Sequence, residues 1–175
     1  MEHEEPVVGG VGVALIGCGY WGKNYVRVLK ELIEVETVAV CDTRPLRLKE
    51  IDEAFTGVIT TIDIEDVLNS DRIHAVIVAR PATAHYAVTH KALLAGKQVL
   101  GEKPLTTVTE EGIELVALAE GLGLTFAVGH TFLHNAAVQR MREYIASGDI
   151  GDLHYLYSRR TNLGPIRRDV NAMWD

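Results

Sequence analysis

Near the amino end of the chain, three glycines are spaced as in a tight turn between a strand and a helix. Gly17, Gly19 and Gly22 follow the apolar run 11–16 and precede a helical pattern over 23–29. In a dinucleotide-binding unit, the first glycine permits the turn, the second lets a pyrophosphate approach the backbone, and the third lets the helix pack on the strand. The amino end of the helix then offers N–H groups and the positive end of its dipole to phosphates. The pattern therefore predicts the first strand, turn and helix of a dinucleotide-binding domain.

An acidic residue at the end of the next apolar run supports this interpretation. Residues 35–42 form that run and end at Asp42, at the usual distance of about 20 residues beyond the glycines. A carboxylate there accepts hydrogen bonds from the adenosine ribose and repels a 2′-phosphate, so we predict NAD as the cofactor. Arg44 and Arg47 lie close by and leave NADP open. The alternatives are a turn without a ligand and a methyltransferase, which also uses a glycine turn and an acid after the second strand.

Strand and helix patterns alternate along the chain. Apolar runs fall at 11–16, 35–42, 58–61, 74–79, 98–101 and 124–128, with helical patterns between them. Helical crossovers between strands predict an α/β fold, with a Rossmann-type doubly wound parallel sheet. Thr107 and Glu110 suggest a capping box for the fifth helix, and Asn135 is predicted to cap the sixth.

The pattern changes after Gly151. Residues 153–158 are predicted to form a strand of a different sheet, and a polar segment with several arginines follows. Because one strand does not make a stable sheet, this segment is interpreted as the opening of a second domain. We therefore predict a NAD(P)-binding Rossmann domain over 1–150 and the beginning of a second, α+β domain over 151–175.

Composition narrows the classes of function. A net charge of −7 over 175 residues argues against a general nucleic-acid binder. No run approaches the roughly 18 apolar residues of a membrane span, and the acidic start is unlike a signal peptide. Cys18 and Cys41 fit neither a disulfide framework nor a metal cluster, so a cytoplasmic setting is predicted. His130 and His134 lack a third ligand, so no metal site is predicted.

Several segments together resemble the glucose–fructose oxidoreductase / inositol dehydrogenase / MocA (Gfo/Idh/MocA) family. The resemblance covers nearly all of the chain, which corresponds to about the first half of a typical member. Its most specific element is Glu102-Lys103-Pro104, directly after the fifth predicted strand. The matching segments are Gly-Cys-Gly-Tyr-Trp-Gly at 17–22, Pro-Ala-Thr-Ala-His at 81–85, Ala-Gly-Lys-Gln-Val-Leu-Gly-Glu-Lys-Pro at 95–104, Val-Gly-His at 128–130 and Ser-Gly-Asp-Ile-Gly at 147–151.

The resemblance implies an NAD(P)-dependent oxidoreductase that transfers hydride between a nicotinamide and a hydroxyl or carbonyl of a sugar or sugar nucleotide. Lys103 would be the catalytic residue at the substrate oxygen. A second catalytic residue, often a histidine, would lie beyond Asp175, in a domain through which members often form homo-oligomers. The implied cofactor-binding residues are Gly17, Gly19, Tyr20, Trp21, Gly22, Asp42, Pro81, His85 and Glu102.

Basic residues near the end of the chain suggest an anionic substrate. Guanidinium groups suit a phosphate or a carboxylate, and this segment looks like that of nucleotide-sugar 3-dehydrogenases within the family. The alternative is a solvated loop whose charges offset nearby acids. For the whole chain, the alternative function is a non-catalytic dinucleotide-binding module or a truncated remnant. The candidate substrate residues are His130, Arg159, Arg160, Arg167 and Arg168.

Overall fold

The computed structural model describes residues 10–19, 21–159 and 161. Its strands are β1 (Val11–Ile16), β2 (Val35–Cys41), β3 (Ile59–Thr61), β4 (Ala75–Val78), β5 (Gln98–Gly101) and β6 (Phe126–Val128). Its helices are α1 (Gly22–Glu31), α2 (Pro45–Ala54), α3 (Ile64–Leu68), α4 (His85–Leu94), α5 (Thr109–Leu122) and α6 (Ala136–Ser147). Short 3₁₀ turns at Ala82–Ala84 and Thr131–His134 precede α4 and α6.

The strands form one parallel sheet in the order β3-β2-β1-β4-β5-β6. The order reverses between β1 and β4, since the chain builds one half of the sheet outward from β1 and then returns to start the other half. This arrangement confirms the predicted doubly wound fold. In such sheets, ligands bind beyond the carboxyl ends of the strands, at the point where the order reverses.

The core consists of two apolar layers, one on each face of the sheet. Successive side chains of β1 point to opposite faces, so Leu15 packs with α1 and α2 while Ile16 packs toward α3, α4 and α5. Leu15 is 0% exposed and Ile16 is 1% exposed. Because helices cover both faces, the central strands are almost entirely apolar, as is usual for parallel sheets.

The helix ends agree only in part with the sequence prediction. Asn135 caps α6 as predicted: its Oδ1 accepts from the backbone N–H groups of Ala137 at 3.0 Å and Val138 at 3.2 Å. The predicted capping box of Thr107 and Glu110 is wrong. Val108 is the N-cap residue of α5 and gives no side-chain cap. The neighbouring Thr106 hydroxyl instead donates to the Val108 carbonyl at 2.7 Å.

The predicted strand over 153–158 is also wrong, because residues 153–159 have no regular secondary structure. A strand requires a neighbour to pair with, and in the described part of the chain this segment pairs with none of the six strands. Its aromatic residues are exposed, with Tyr155 at 83%. The preceding helix α6 buries none of its own residues. A second domain beginning at 151 stays a prediction.

The packing of α1 on the glycine turn gives a test of the fold. A Cβ atom on Gly22 would lie 2.7 Å from Cys18 Sγ, inside the buried layer. We expect Gly22→Ala to lower the free energy of unfolding by about 1–3 kcal/mol, as is typical of overpacking. In a double-mutant cycle, Cys18→Ala should recover part of this loss, because it removes the sulfur.

Urea unfolding of these variants is the measurement, and Gly19→Ala is the matched control. A Cβ on Gly19 would meet only Arg47 Nη1, at 3.7 Å. That control should therefore stay within about 0.5 kcal/mol of the unmodified chain. Equal losses for Gly19→Ala and Gly22→Ala would contradict this description of the turn.

Candidate functional site

The registers of the sheet bring four strand ends to one edge. Ile16 of β1 pairs with Cys41 of β2 on one side and with Val78 of β4 on the other. Val78 in turn pairs with Gly101 of β5. The segments that follow these residues are the glycine turn, Asp42, the loop at 79–81 and Glu102-Lys103-Pro104. The fold therefore places the two strongest sequence motifs at the same edge of the sheet, with the end of β4 between them.

The backbone conformation of the turn explains why its first position is a glycine. Gly17 has a φ of +97°, in the left-handed region that favours glycine. A Cβ there would also lie 2.7 Å from the Ala79 carbonyl oxygen. The Gly17 N–H donates to the Cys41 carbonyl at 2.8 Å. The turn thus lies in contact with the ends of β2 and β4. Its positive φ angle and the nearby Ala79 carbonyl both disfavour a side chain at Gly17.

The rest of the turn forms an open cradle. Apart from Arg47 Nη1 at 3.7 Å, a Cβ on Gly19 would meet no atom within 4 Å. The N-cap residue of α1 is Trp21, whose side chain makes no cap hydrogen bond, since an indole has no acceptor. Open space beside a helix amino end suits a diphosphate group. The cradle therefore fits the pyrophosphate of a dinucleotide.

Asp42 follows β2 at this edge and is only 3% exposed. Its Oδ2 accepts from the backbone N–H of Cys18 at 2.8 Å, and its Oδ1 accepts from that of Arg44 at 2.9 Å. The guanidinium groups of Arg44 and Arg47 each approach the carboxylate to 3.6 Å. Burial by itself would raise the pKa of Asp42, but the two backbone bonds and the two arginines outweigh it and lower the pKa. The carboxylate thus stays charged and holds the glycine turn against β2.

This second task of Asp42 was absent from the sequence prediction, which assigned the carboxylate to the ribose. Its two hydrogen bonds leave acceptor capacity on each oxygen, so the ribose assignment stays a prediction. The bond to Cys18 joins positions far apart in the chain, and no motif spacing indicates it.

Two side chains anchor the Glu102-Lys103-Pro104 loop. The Tyr25 hydroxyl of α1 donates to Glu102 Oε1, and Glu102 Oε2 accepts from the Lys103 backbone N–H at 3.2 Å. On the other side, His85 Nδ1 lies 2.6 Å from the Pro104 carbonyl oxygen. The Lys103–Pro104 peptide bond is cis. Lys103 is therefore carried on a backbone that is tied down before and after it.

His85 connects two of the loops at this edge. The ring is 2% exposed, and its Nε2 lies 2.8 Å from the carbonyl oxygen of Arg80. With Nδ1 facing Pro104, both nitrogens face backbone carbonyl groups. The ring thus joins the segment after β4 to the segment after β5. Direct contact between His85 and a cofactor stays a prediction.

Arg80 also lies at this edge and was not predicted as a site residue. Its Nε is buried and has no hydrogen-bond partner among the described residues. A Cβ on Gly17 would lie 2.9 Å from Arg80 Cδ, so the side chain borders the glycine turn. An unpaired buried N–H group is costly, and an anionic ligand beside the turn would supply its partner.

The other predicted site residues are more exposed. Trp21 and Pro81 lie at the amino ends of α1 and of the 3₁₀ turn before α4. His130 is exposed just after β6. Arg159 is exposed, and its Nε donates to the Tyr157 hydroxyl at 3.0 Å. The remaining predicted residues, Tyr20, Arg160, Arg167 and Arg168, lie outside the described residues.

The described residues contain neither a candidate metal cluster nor a candidate membrane span. No group of three or more His, Cys, Asp or Glu side chains there could hold a metal ion. Over those same residues, no helix combines the length and the apolar character needed to cross a membrane.

Comparison with known proteins identifies the family. Residues 11–130 match the Gfo/Idh/MocA oxidoreductases, described as an oxidoreductase family with an NAD-binding Rossmann fold. This chain belongs to the Gfo/Idh/MocA family. The matched range contains the glycine turn, Asp42, the Glu102-Lys103-Pro104 loop and His130.

Individual relatives support the assignment of this chain to the Gfo/Idh/MocA family. Inositol 2-dehydrogenase of Arthrobacter sp. (strain FB24) is 30% identical over 152 residues, which is 86% of this chain and 45% of the relative. WlbA dehydrogenase of Bordetella pertussis, solved with NADH and UDP-GlcNAcA, has a TM-score of 0.76 at 28% identity, covering 82% of this chain and 42% of that one. KijD10, a 3-ketoreductase of Actinomadura kijaniata solved with NADP and TDP-benzene, has a TM-score of 0.73 at 30% identity, covering 80% and 43%. The chain spans less than half the length of the curated relatives it matches.

The buried carboxylate of this Gfo/Idh/MocA chain predicts how stability depends on pH. The pKa of Asp42 is lowered from 3.8 in the folded state, so its contribution is present above about pH 4 and is lost as the pH falls further. In Asp42→Asn, the amide nitrogen cannot accept, so one of the two backbone bonds is lost in either rotamer. We expect this variant to be about 1–3 kcal/mol less stable at pH 7, with a smaller gap at low pH.

Urea unfolding between pH 7 and pH 3 is the measurement. Glu53→Gln is the control, because Glu53 is an exposed partner of Lys49 on α2. The control should follow the unmodified chain at every pH. A constant difference between Asp42→Asn and the unmodified chain at all pH values would show that the charge of Asp42 does not support the turn.

Proposed function

We propose that this chain is the cofactor-binding part of an NAD(P)-dependent oxidoreductase. The enzyme would transfer hydride between a nicotinamide and the hydroxyl or carbonyl carbon of a sugar or sugar nucleotide. The observation that carries the proposal is the position of Lys103. It follows β5 at the same edge as the glycine turn, on a loop anchored by Tyr25 and His85.

The cofactor would lie across the ends of the central strands. The cradle at Gly19 and the amino end of α1 would hold the pyrophosphate, because both offer backbone N–H groups and open space. The remaining acceptor capacity of Asp42 would serve the adenosine ribose. The Arg80 Nε would find its partner in a phosphate or ribose oxygen. When bound, the nicotinamide supplies the site for hydride exchange.

Lys103 would accept and donate the proton of the substrate hydroxyl. Oxidation of a hydroxyl releases a proton as the carbon gives up hydride, and the Lys103 amine takes up that proton. In the reverse direction, the Lys103 ammonium polarises the carbonyl and donates a proton to the new hydroxyl. Both tasks require the amine to stay at a fixed distance from the reacting carbon, which the two anchors of the loop would provide.

A second domain would supply the rest of the active site. The curated relatives are more than twice as long as the matched segment. Exposed apolar side chains on α6 and over 153–157, including Tyr155 and Tyr157, favour a partner domain at this end of the chain. We propose that this domain binds the sugar and assembles the protein into homo-oligomers in the cytoplasm. The proposed substrate residues of this chain are His130, Arg159, Arg160, Arg167 and Arg168.

The alternative is a dinucleotide-binding module without catalysis. The anchored loop favours the enzyme, since a module that only binds the cofactor has no need to fix a lysine beside it. Family membership also removes the methyltransferase alternative, because the family is one of NAD-binding oxidoreductases.

Replacement of Lys103 tests the proposed function. In the complete encoded protein, Lys103→Ala should lower kcat by about 10²–10⁴-fold, the usual effect of losing one general acid–base group. NADH binding should change by less than about twofold, since the cradle is untouched. Turnover is measured as NADH formation with inositol and UDP-N-acetylglucosamine, with Lys49→Ala on the exposed face of α2 as the control. A fully active Lys103→Ala variant would remove this lysine from the chemistry.

The second glycine tests the cofactor cradle. Gly19→Val should abolish NADH binding, because its side chain would fill the space where the pyrophosphate meets the backbone. The unfolding transition should change little, since the space around Gly19 is open. NADH fluorescence titration is the measurement. Unchanged binding in this variant would place the cofactor elsewhere.

Asp42 predicts a preference for NAD over NADP. A buried carboxylate repels a 2′-phosphate, and Arg44 and Arg47 are already paired with it. We expect NADH to bind at least about 10-fold more tightly than NADPH, a difference of 1.4 kcal/mol. Asp42→Ala should reverse the preference, because it frees both arginines for the phosphate. Tighter NADPH binding by the unmodified chain would show that the arginines dominate.

A further inference from the structure

We propose that Tyr25 is the positioning residue that sets the distance between the cofactor cradle and Lys103. Neither the sequence motifs nor the family resemblance assigns a task to this tyrosine. The inference rests on the proposed function, because it assumes that Lys103 acts on a substrate beside the bound cofactor.

Tyr25 lies on the helix that borders the cradle. It belongs to α1, one helical turn after Gly22, so it is fixed to the same helix whose amino end borders the cradle. Its backbone N–H donates to the Trp21 carbonyl at 3.3 Å, within that first turn. A movement of the Tyr25 backbone relative to the cradle would require the helix itself to bend.

Tyr25 binds the Glu102 carboxylate. Its hydroxyl donates to Glu102 Oε1, across a separation of 77 residues in the chain. Burial, and then the bond to the Glu102 carboxylate and its charge, raise the pKa of the Tyr25 hydroxyl, so the group stays a donor. Bonds from a neutral donor to a carboxylate are stronger than bonds between neutral groups.

Glu102 connects Tyr25 to the backbone of Lys103. The other oxygen of the same carboxylate, Oε2, accepts from the Lys103 backbone N–H at 3.2 Å. The Glu102 N–H donates to the Val78 carbonyl at 2.9 Å, which ties its backbone to β4. Because both its backbone and its carboxylate are hydrogen-bonded, Glu102 has little conformational freedom. The position of Glu102 in turn determines the position of the Lys103 backbone. Glu102 thus connects Tyr25 to Lys103, and the Tyr25 hydroxyl holds the Glu102 carboxylate against α1.

A tyrosine–glutamate pair elsewhere in the fold provides a matched control. Tyr86 of α4 is half-buried like Tyr25, and its hydroxyl bonds to the Glu114 carboxylate of α5, which raises the pKa of Tyr86. That pair joins two helices, α4 and α5, and neither residue is part of the hydrogen-bonded path from Tyr25 through Glu102 to Lys103. Tyr86→Phe therefore removes the same kind of hydrogen bond as Tyr25→Phe without altering the path to Lys103.

The direct test is amide hydrogen exchange in the chain without cofactor. In Tyr25→Phe, the Lys103 amide should exchange at least about 10-fold faster, because the carboxylate that protects it is released. The Val99 amide within β5 should be unchanged, and Tyr86→Phe should leave both amides as they are. Glu102→Gln should speed the Lys103 amide, and the double variant should add nothing further.

The second test measures kinetics in the complete encoded protein. Tyr25→Phe should lower kcat by about 10- to 100-fold, the scale expected when a reacting group is displaced by about 1 Å. The dissociation constant of NADH should change by less than about twofold, and Tyr86→Phe should keep the kcat of the unmodified protein.

The outcomes separate the inference from the proposed function. Unchanged exchange at Lys103, or faster exchange that is equal along β5 and the loop, would overturn the positioning role of Tyr25. An unchanged kcat in an active enzyme would overturn it as well. If the unmodified complete protein transfers no hydride, the proposed function fails, and the exchange measurement still decides whether Tyr25 fixes the Lys103 backbone.

Discussion

The site depends on the way β1 is paired in the sheet. This strand has β2 on one side and β4 on the other, and both neighbours are parallel to it and end level with Ile16. Parallel strands have their carboxyl ends at one edge of the sheet, so the segment that follows each strand begins at that edge. The glycine turn, Asp42 and the Lys103 loop come together for this reason, although they lie far apart in the sequence. Burial of β1 on both faces keeps the arrangement rigid.

Hydrogen bonds between these segments fix their positions relative to one another. Asp42 ties the glycine turn to the end of β2, and His85 ties the segment after β4 to the Pro104 carbonyl. Tyr25 connects α1 to Glu102. Each bond joins two different segments, so the cradle and the loop are held in one arrangement. A site for hydride transfer needs such coupling, because the reacting groups act only at near-contact distances.

The sequence predicted the fold well because its signals were local. Spaced glycines, apolar runs and helical patterns are read from neighbouring residues, and all six predicted strands of the sheet are present. The errors arose where the outcome depended on context. Val108 rather than Thr107 is the N-cap residue of α5, and among the described residues the segment 153–158 has no strand to pair with. The anchoring contacts of Tyr25 and His85 could not be predicted, since they join residues brought together only by the fold.

The central claim is that one edge of the sheet binds the dinucleotide and presents Lys103 to it. Titration of the ¹⁵N-labelled chain with NAD⁺, followed by NMR, tests this most directly. The account predicts saturable shifts that are largest at the Gly17, Gly19 and Gly22 amides and that extend to Lys103. Shifts centred instead on the apolar groove of α5, around Ile113, or the absence of saturable shifts, would contradict it.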